Sequence, residues 1–142
     1  MSTEVQQQLE AAGIIPVLRA RSAKEAIGVV EAMVAGGITV IEVTMTVPGA
    51  IDVLRELKRS YGSKLLLGSG TVTDAAECTA TIEAGAEFVV SPSLHLDVIA
   101  ETKALGKVSL PGALTPTEVL TAWRAGADFV KVFPCSAMGG AS

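Results

Sequence analysis

Short apolar runs alternate with amphipathic segments along almost the whole of this 142-residue chain. The runs begin about every 20–26 residues and predict six strands, at Ile14–Leu18, Val40–Thr44, Leu65–Gly68, Phe88–Ser91, Val108–Leu110 and Phe129–Phe133. The segments between them predict five helices, at Ala23–Ala35, Ala50–Tyr61, Ala75–Ala84, Leu96–Leu105 and Pro116–Ala125. Because each predicted helix joins two predicted strands, the pattern indicates a mostly parallel sheet with right-handed crossovers.

Local signals mark where several of these helices begin and end. Ser22 is a good N-cap with Glu25 three residues later, Asp74 is a second N-cap, and Pro116 suits a first helical turn. Glycine follows three of the helices, at Gly36, Gly85 and Gly126. A predicted strand follows shortly after each of these stops, so the chain reads as an internal repeat of strand–helix units.

Such a sheet closes in one of two ways, as an open doubly wound sheet or as a (β/α) barrel. The dinucleotide fingerprint G-x-G-x-x-G is absent, and Gly68–Thr71 supplies only half of it. Polar residues recur at the carboxyl ends of the predicted strands, which favours an α/β fold of the (β/α)8 TIM-barrel type with its site at one mouth. Eight units at this spacing need roughly 180 residues. We therefore expect residues 1–142 to form a single, incomplete barrel domain of about six units.

Lys131 is a lone cation inside the apolar run that forms the sixth predicted strand. Alternation along a strand places it on the same face as Phe129 and Phe133. An amine between two aromatic rings loses hydration, which favours the uncharged form that attacks a ketone to form a Schiff base. The alternative is a surface lysine on an edge strand.

Two further charges share the predicted lumen with Lys131. Arg19 follows the first strand, and Glu42 alternates with Val40 and Thr44 on the second. Buried charges are costly unless they are paired or functional, so this convergence predicts an active site. A Glu42–Lys131 ion pair that only fixes strand register is the alternative.

Glycines at the ends of the third and fifth strands, Gly70 and Gly112, would let a substrate approach the backbone.

Composition narrows the classes of function. The net charge is -4 with 11 basic residues, which argues against a nucleic-acid surface. Apolar stretches are too short to span a membrane, so we expect no membrane partner. Cys78 and Cys135 lack metal-type spacing and indicate free thiols in the cytoplasm. His95 is the only histidine, so we expect chemistry without a metal or other cofactor.

The motifs resemble those of the 2-keto-3-deoxy-6-phosphogluconate (KDPG) / 4-hydroxy-2-oxoglutarate (KHG) aldolases, class I Schiff-base lyases with the TIM-barrel fold. The resembling segments span nearly the whole chain, at Ile15–Arg19, Ala35–Gly37, Ile41–Thr44, Gly68–Val72, Val90–Pro92, Pro111–Gly112 and Phe129–Pro134. The most specific is the last, because the family's Schiff-base lysine lies in a Lys-x-Phe-Pro context. The resemblance implies that Lys131 and Glu42 are catalytic and that a small 2-oxo acid is the substrate. The resemblance also implies a set of substrate-binding residues, namely Arg19, Thr71, Pro92 and Phe133.

The chain also departs from the family pattern. Thr46 stands where many members carry a substrate-binding arginine, so we do not transfer that role to Thr46. The family's later glycine-rich phosphate-binding segments are absent from these 142 residues. The resemblance suggests a homotrimer and leaves the preferred 2-oxo-4-hydroxy acid open. Two other hypotheses remain: a related phosphosugar barrel in which Lys131 is an electrostatic clamp, and an impaired fragment or binding subunit completed by another chain.

Overall fold

The computed structural model describes residues 2–136 and residue 139. Six α-helices are present among them: α1 Ser2–Ala12, α2 Ala23–Ala35, α3 Ala50–Tyr61, α4 Ala75–Glu83, α5 Leu96–Ala104 and α6 Pro116–Arg124. The strands are β1 Val17–Leu18, β2 Val40–Thr44, β3 Leu66–Gly70, β4 Phe88–Val90, β5 Val108–Leu110, β6 Gly112–Ala113 and β7 Lys131–Val132. The predicted alternation of strands and helices is therefore confirmed, with helix boundaries that differ by no more than one residue.

All the strands run parallel. β1 to β5 form one sheet in sequence order, and β6 pairs with β7. Only Pro111 separates β5 from β6. The segment that contains β7 runs alongside both, because the backbone N–H groups of Phe129 and Lys131 donate to the carbonyls of Ser109 (3.1 Å) and Pro111 (2.9 Å). β5 and β6 are thus two parts of one strand, and β7 continues the same curved sheet.

Two edge segments pair over a shorter length than the sequence predicts. β1 begins at Val17 rather than Ile14, whose side chain is 64% exposed. β7 covers only Lys131–Val132 of the predicted Phe129–Phe133. Each of these segments has one neighbouring strand among the described residues, and beyond β7 itself the N–H groups of Phe129 and Phe133 still donate to the carbonyls of Ser109 and Ala113 (both 3.1 Å).

Helix α1 has no counterpart among the predicted elements. Its Val5, Leu9 and Ala12 lie on one face and pack against the barrel interior. The interior residues that they meet include Val40 and Phe88, which begin β2 and β4. α1 therefore covers the amino-terminal end of the strands and leaves the opposite mouth open.

The two faces of β2 belong to different layers. Ile41 and Val43 pack with helices α2 and α3 in the outer core, whereas Val40 packs inside the barrel. Glu42 and Thr44 alternate with these residues and share the inner face with Val40. The register of β2 therefore places a carboxylate in the lumen.

A partly buried carboxylate, that of Asp128, joins three elements just before β7. Asp128 Oδ2 accepts hydrogen bonds from the Lys103 ammonium (2.7 Å) and the Ser109 N–H (2.8 Å), and Oδ1 accepts one from the Gln6 amide (2.9 Å). These bonds connect α1, α5 and β5, and so fix the chain that leads into Lys131.

Cys78 is buried and Cys135 exposed, and both are free thiols. Among the described residues, no helix combines the length and apolarity that crossing a membrane requires.

Candidate active site

Glu42 is the buried charge of the barrel lumen. Its side chain is 5% exposed, and its neighbours in the sheet register are Val17 on β1 and Gly68 on β3. Burial raises the pKa of the Glu42 carboxyl, while the positive charges of Lys131 and then Arg19 oppose that rise. The fold therefore brings Arg19, Glu42 and Lys131 close enough to interact electrostatically.

The Glu42 carboxylate lies over the backbone of Gly70. A Cβ added to Gly70 would lie 2.0 Å from Glu42 Oε1 and 2.8 Å from Cδ, well inside contact distance. We expected Gly70 to admit a substrate to the backbone. The structure corrects this expectation, because the Glu42 carboxylate occupies the space that a side chain at Gly70 would take.

Lys131 begins β7 and is partly buried. It pairs in register with Gly112 on β6, and its Nζ lies 4.9 Å from the centroid of the Phe133 ring, a cation–π contact. None of the ion pairs among residues 2–136 includes Lys131 or Glu42. The two charges thus interact electrostatically but lack the direct ion pair that a register-fixing role would require.

The peptide between Pro92 and Ser93 lies beside Lys131. A Cβ on Gly112 would be 2.4 Å from the Pro92 carbonyl group and 2.6 Å from the Ser93 nitrogen. Register neighbours in a parallel sheet direct their side chains to the same face, so this peptide lies on the same face as the Lys131 side chain. Here too the structure corrects our expectation: the space at Gly112 holds a loop and does not lie open to substrate.

A chain of hydroxyl groups joins β1 to β2 next to Arg19. Thr46 donates to the Thr44 hydroxyl (3.1 Å), which donates to the Leu18 carbonyl (2.6 Å). This chain of bonds ties the end of β1 to β2 and places Arg19, which is exposed, directly after the tie. Thr71 follows β3 and is also exposed; no hydrogen bond joins it to another candidate site residue in the part of the chain described here.

Two close contacts of the site could not be predicted from the sequence. The sequence marks Gly70 and Gly112 as special, but only the folded sheet reveals which group occupies the space at each. Within residues 2–136, no group of three or more His, Cys, Asp and Glu side chains is arranged to hold a metal ion.

A parallel α/β barrel of the TIM type, with a lysine and a buried carboxylate at its open mouth, is the class of protein that fold and site define. The family model described as "KDPG and KHG aldolase" matches residues 5–142. The chain belongs to the KDPG and KHG aldolase family.

Individual relatives give the same result. The chain is 33% identical over 126 residues to the 2-dehydro-3-deoxy-6-phosphogalactonate aldolase of Escherichia coli K12, covering 89% of this chain and 62% of the relative. A crystal structure of the Zymomonas mobilis ZM4 KDPG aldolase with 3-phosphoglycerate superposes with a TM-score of 0.88 at 32% identity, covering 99% of this chain and 66% of that one.

A third match is the Legionella pneumophila KDPG aldolase, with pyruvate captured as a covalent carbinolamine. It has a TM-score of 0.82 at 32% identity and covers 89% of this chain and 61% of that one. The chain thus spans somewhat under two thirds of the length of the relatives it matches.

Proposed function

We propose that the protein is a class I aldolase that cleaves a 2-oxo-4-hydroxy acid to pyruvate and an aldehyde. The substrate class is 2-dehydro-3-deoxy-6-phosphogluconate or 4-hydroxy-2-oxoglutarate, with glyceraldehyde 3-phosphate or glyoxylate as the aldehyde. The observation that carries the proposal is the Glu42 carboxyl, buried in the lumen opposite Lys131 with its pKa raised. Family membership supports the same reaction class.

Lys131 is the nucleophile in this mechanism. Its neutral amine adds to the C2 ketone, and the resulting carbinolamine loses water to form an iminium. The C3–C4 bonding pair then moves toward the iminium, giving an enamine. The C4 hydroxyl loses its proton as this bond breaks, and the C4 fragment leaves as an aldehyde. Protonation at C3 and hydrolysis return the amine and release pyruvate.

Glu42 moves the protons. A buried carboxyl with a raised pKa can both hold and release a proton nearer neutral pH than an exposed one. It protonates the departing hydroxyl of the carbinolamine and accepts the C4 hydroxyl proton during cleavage. Arg19 and Thr71 bind the substrate carboxylate, and Pro92 and Phe133 line the site around Lys131.

The direct test is reduction with borohydride in the presence of pyruvate. We expect a covalent adduct on Lys131 with the mass of pyruvate less one oxygen, located by peptide mass spectrometry. Lys131→Ala abolishes it, whereas Lys107→Ala, which removes a lysine paired with Glu87 at 2.9 Å, leaves it intact. Phosphate-dependent turnover without any reducible adduct would instead indicate a phosphosugar barrel in which Lys131 acts only as a charge.

The open side of the barrel supports a second part of the proposal. A largely apolar groove of about 370 Å³ lies between α1, the segment that leads into β1, and the end of β5, and its lining includes Leu9, Ile15, Leu110 and Phe129. We propose that further βα units, on the same or another polypeptide, cover this groove. If they belong to another chain, the present chain is a binding or assembly subunit. Pyruvate titration of the 142-residue chain, with circular dichroism to verify folding, separates this case from an enzyme active alone.

The resemblance to the family also supports a homotrimer, which light scattering coupled to size exclusion would measure. Two free cysteines support a location in the cytoplasm.

A further inference from the structure

The loop between β4 and α5 carries a hydrogen-bonded pair of side chains that the proposed mechanism does not use. The Ser93 hydroxyl lies 2.7 Å from His95 Nε2. His95 occupies the N-cap position of α5, yet its side chain makes no capping hydrogen bond. Within residues 2–136, neither side chain has another hydrogen-bond partner. The pair therefore makes no hydrogen bond that would connect it to the rest of the fold.

The position of this loop ties the pair to the site. The Pro92–Ser93 peptide fills the space above Gly112, the register partner of Lys131. Neighbouring strands are about 4.8 Å apart, so the loop passes within about one strand spacing of Lys131. Ser93 is exposed, and the loop that carries it follows the carboxyl end of β4, at the end of the sheet that α1 leaves open.

The chemistry of the pair does not depend on the histidine tautomer. A hydroxyl and a neutral imidazole together offer two donors and three acceptors, and the bond between them uses one of each. Whichever group donates, one donor and two acceptors remain free. A sugar hydroxyl, which both donates and accepts, matches this set, whereas an aldehyde without hydroxyls does not.

We propose that Ser93 and His95 are specificity-determining residues that bind the hydroxyl groups of the aldehyde-derived half of the substrate. This inference rests on the proposed aldolase function, since Lys131 fixes the pyruvate-derived half and leaves the other half to extend toward the mouth. The pair favours polyhydroxy aldehydes over aldehydes of the same length without hydroxyls.

The test is the condensation of pyruvate with two three-carbon aldehydes, glyceraldehyde and propanal. In Ser93→Ala and in His95→Ala, kcat/KM for glyceraldehyde falls about tenfold, while the value for propanal changes by less than about twofold. The double variant loses little more than either single variant, because the two side chains act as one unit. Ser93→Thr, which keeps the hydroxyl, restores the preference for glyceraldehyde.

Ser60→Ala is the matched control, because its hydroxyl bonds only Glu56 on the exposed surface of α3. It leaves the ratio of the two kcat/KM values unchanged. A purely structural role for Ser93 would lower both values together and leave their ratio intact, which would overturn the inference. So would an unchanged ratio in a variant that still forms the pyruvate–borohydride adduct on Lys131. Absence of that adduct in the unaltered protein would overturn the proposed function itself, and the inference with it.

Discussion

Gly70 and Gly68 allow the same substitution to be tested at two places on one strand. Both are buried on β3 and both face the lumen. Neither has a positive φ, so alanine fits the backbone of either residue. What differs is the group that the new methyl would meet, namely the end of Glu42 at Gly70 and the Phe88 ring at Gly68.

At Gly70 the methyl group displaces the proposed proton carrier. Glu42 Oε1 must retreat by about 1.4 Å, from 2.0 Å to an ordinary contact of 3.4 Å. The carboxylate is the end of a flexible side chain, so a rotation relieves the clash and the free energy of unfolding changes by less than about 1 kcal/mol. A misplacement of this size lowers the rate of a positioned proton transfer about 100-fold.

At Gly68 the methyl group would clash with an aromatic ring that is packed on all sides. The added Cβ would lie 2.1 Å from the Phe88 ring, which is fully buried. Overpacking of this kind lowers the free energy of unfolding by about 1–3 kcal/mol. Gly68→Ala therefore loses stability, whereas the folded fraction that remains keeps Glu42 in place and retains its rate per folded molecule.

The assay is exchange of the pyruvate methyl protons in deuterated water, followed by NMR. This exchange requires only the enamine on Lys131 and a proton carrier, so it does not depend on which aldehyde the enzyme prefers. Urea unfolding gives the stability of each variant, and the exchange rate is normalised to folded protein. If Gly70→Ala exchanges within about twofold of the unaltered protein, Glu42 is not the proton carrier that we propose.

Three further predictions concern stability measured by urea unfolding. Because burial raises the pKa of Glu42 above its ordinary 4.5, the native state holds this proton more tightly than the unfolded state. The protonated Glu42 carboxyl therefore contributes favourably to the free energy of unfolding below pH 4.5, and this contribution is lost as the pH rises through the raised pKa. Glu42→Gln should become increasingly more stable than the unaltered protein across that range, and equal pH profiles would contradict the burial effect. Asp128→Ala leaves the Ser109 N–H and the Lys103 ammonium without their carboxylate (2.8 and 2.7 Å) and costs about 2 kcal/mol; a loss below about 0.5 kcal/mol would show that water replaces it. Ser22→Ala removes the cap of α2, which accepts from a backbone N–H at 3.1 Å, and costs about 1 kcal/mol, whereas Ser22→Asp keeps the stability.

The sequence predicts the helices after β1 well because their signals are local. The Ser22 cap, the Asp74 cap and Pro116 lie within a few residues of the turns that they begin, and glycine follows where a helix must stop. The order of the strands also follows from the sequence, since parallel strands joined by helices have few allowed arrangements. Alternation along β2 even places Glu42 on the inner face.

Helix α1 shows where this local reasoning ends. The three apolar residues that it packs inward form a narrow stripe, and their partners include the strand starts at Val40 and Phe88, far away in the sequence. Nothing within residues 2–12 marks that surface. The edge strands are similar, because the residues that pair with them, Glu42 with Val17 and Gly112 with Lys131, lie about 20 or more positions away in the sequence.

The sequence by itself determined the repeat, the fold class and the residue types available for catalysis, because periodicity and caps act over a few residues. Only the tertiary structure decided which groups meet. The contact of Gly70 with Glu42 crosses 28 positions of the chain and that of Gly112 with Pro92 crosses 20. Such contacts depend on register and on side-chain direction between strands, which no short stretch of sequence specifies.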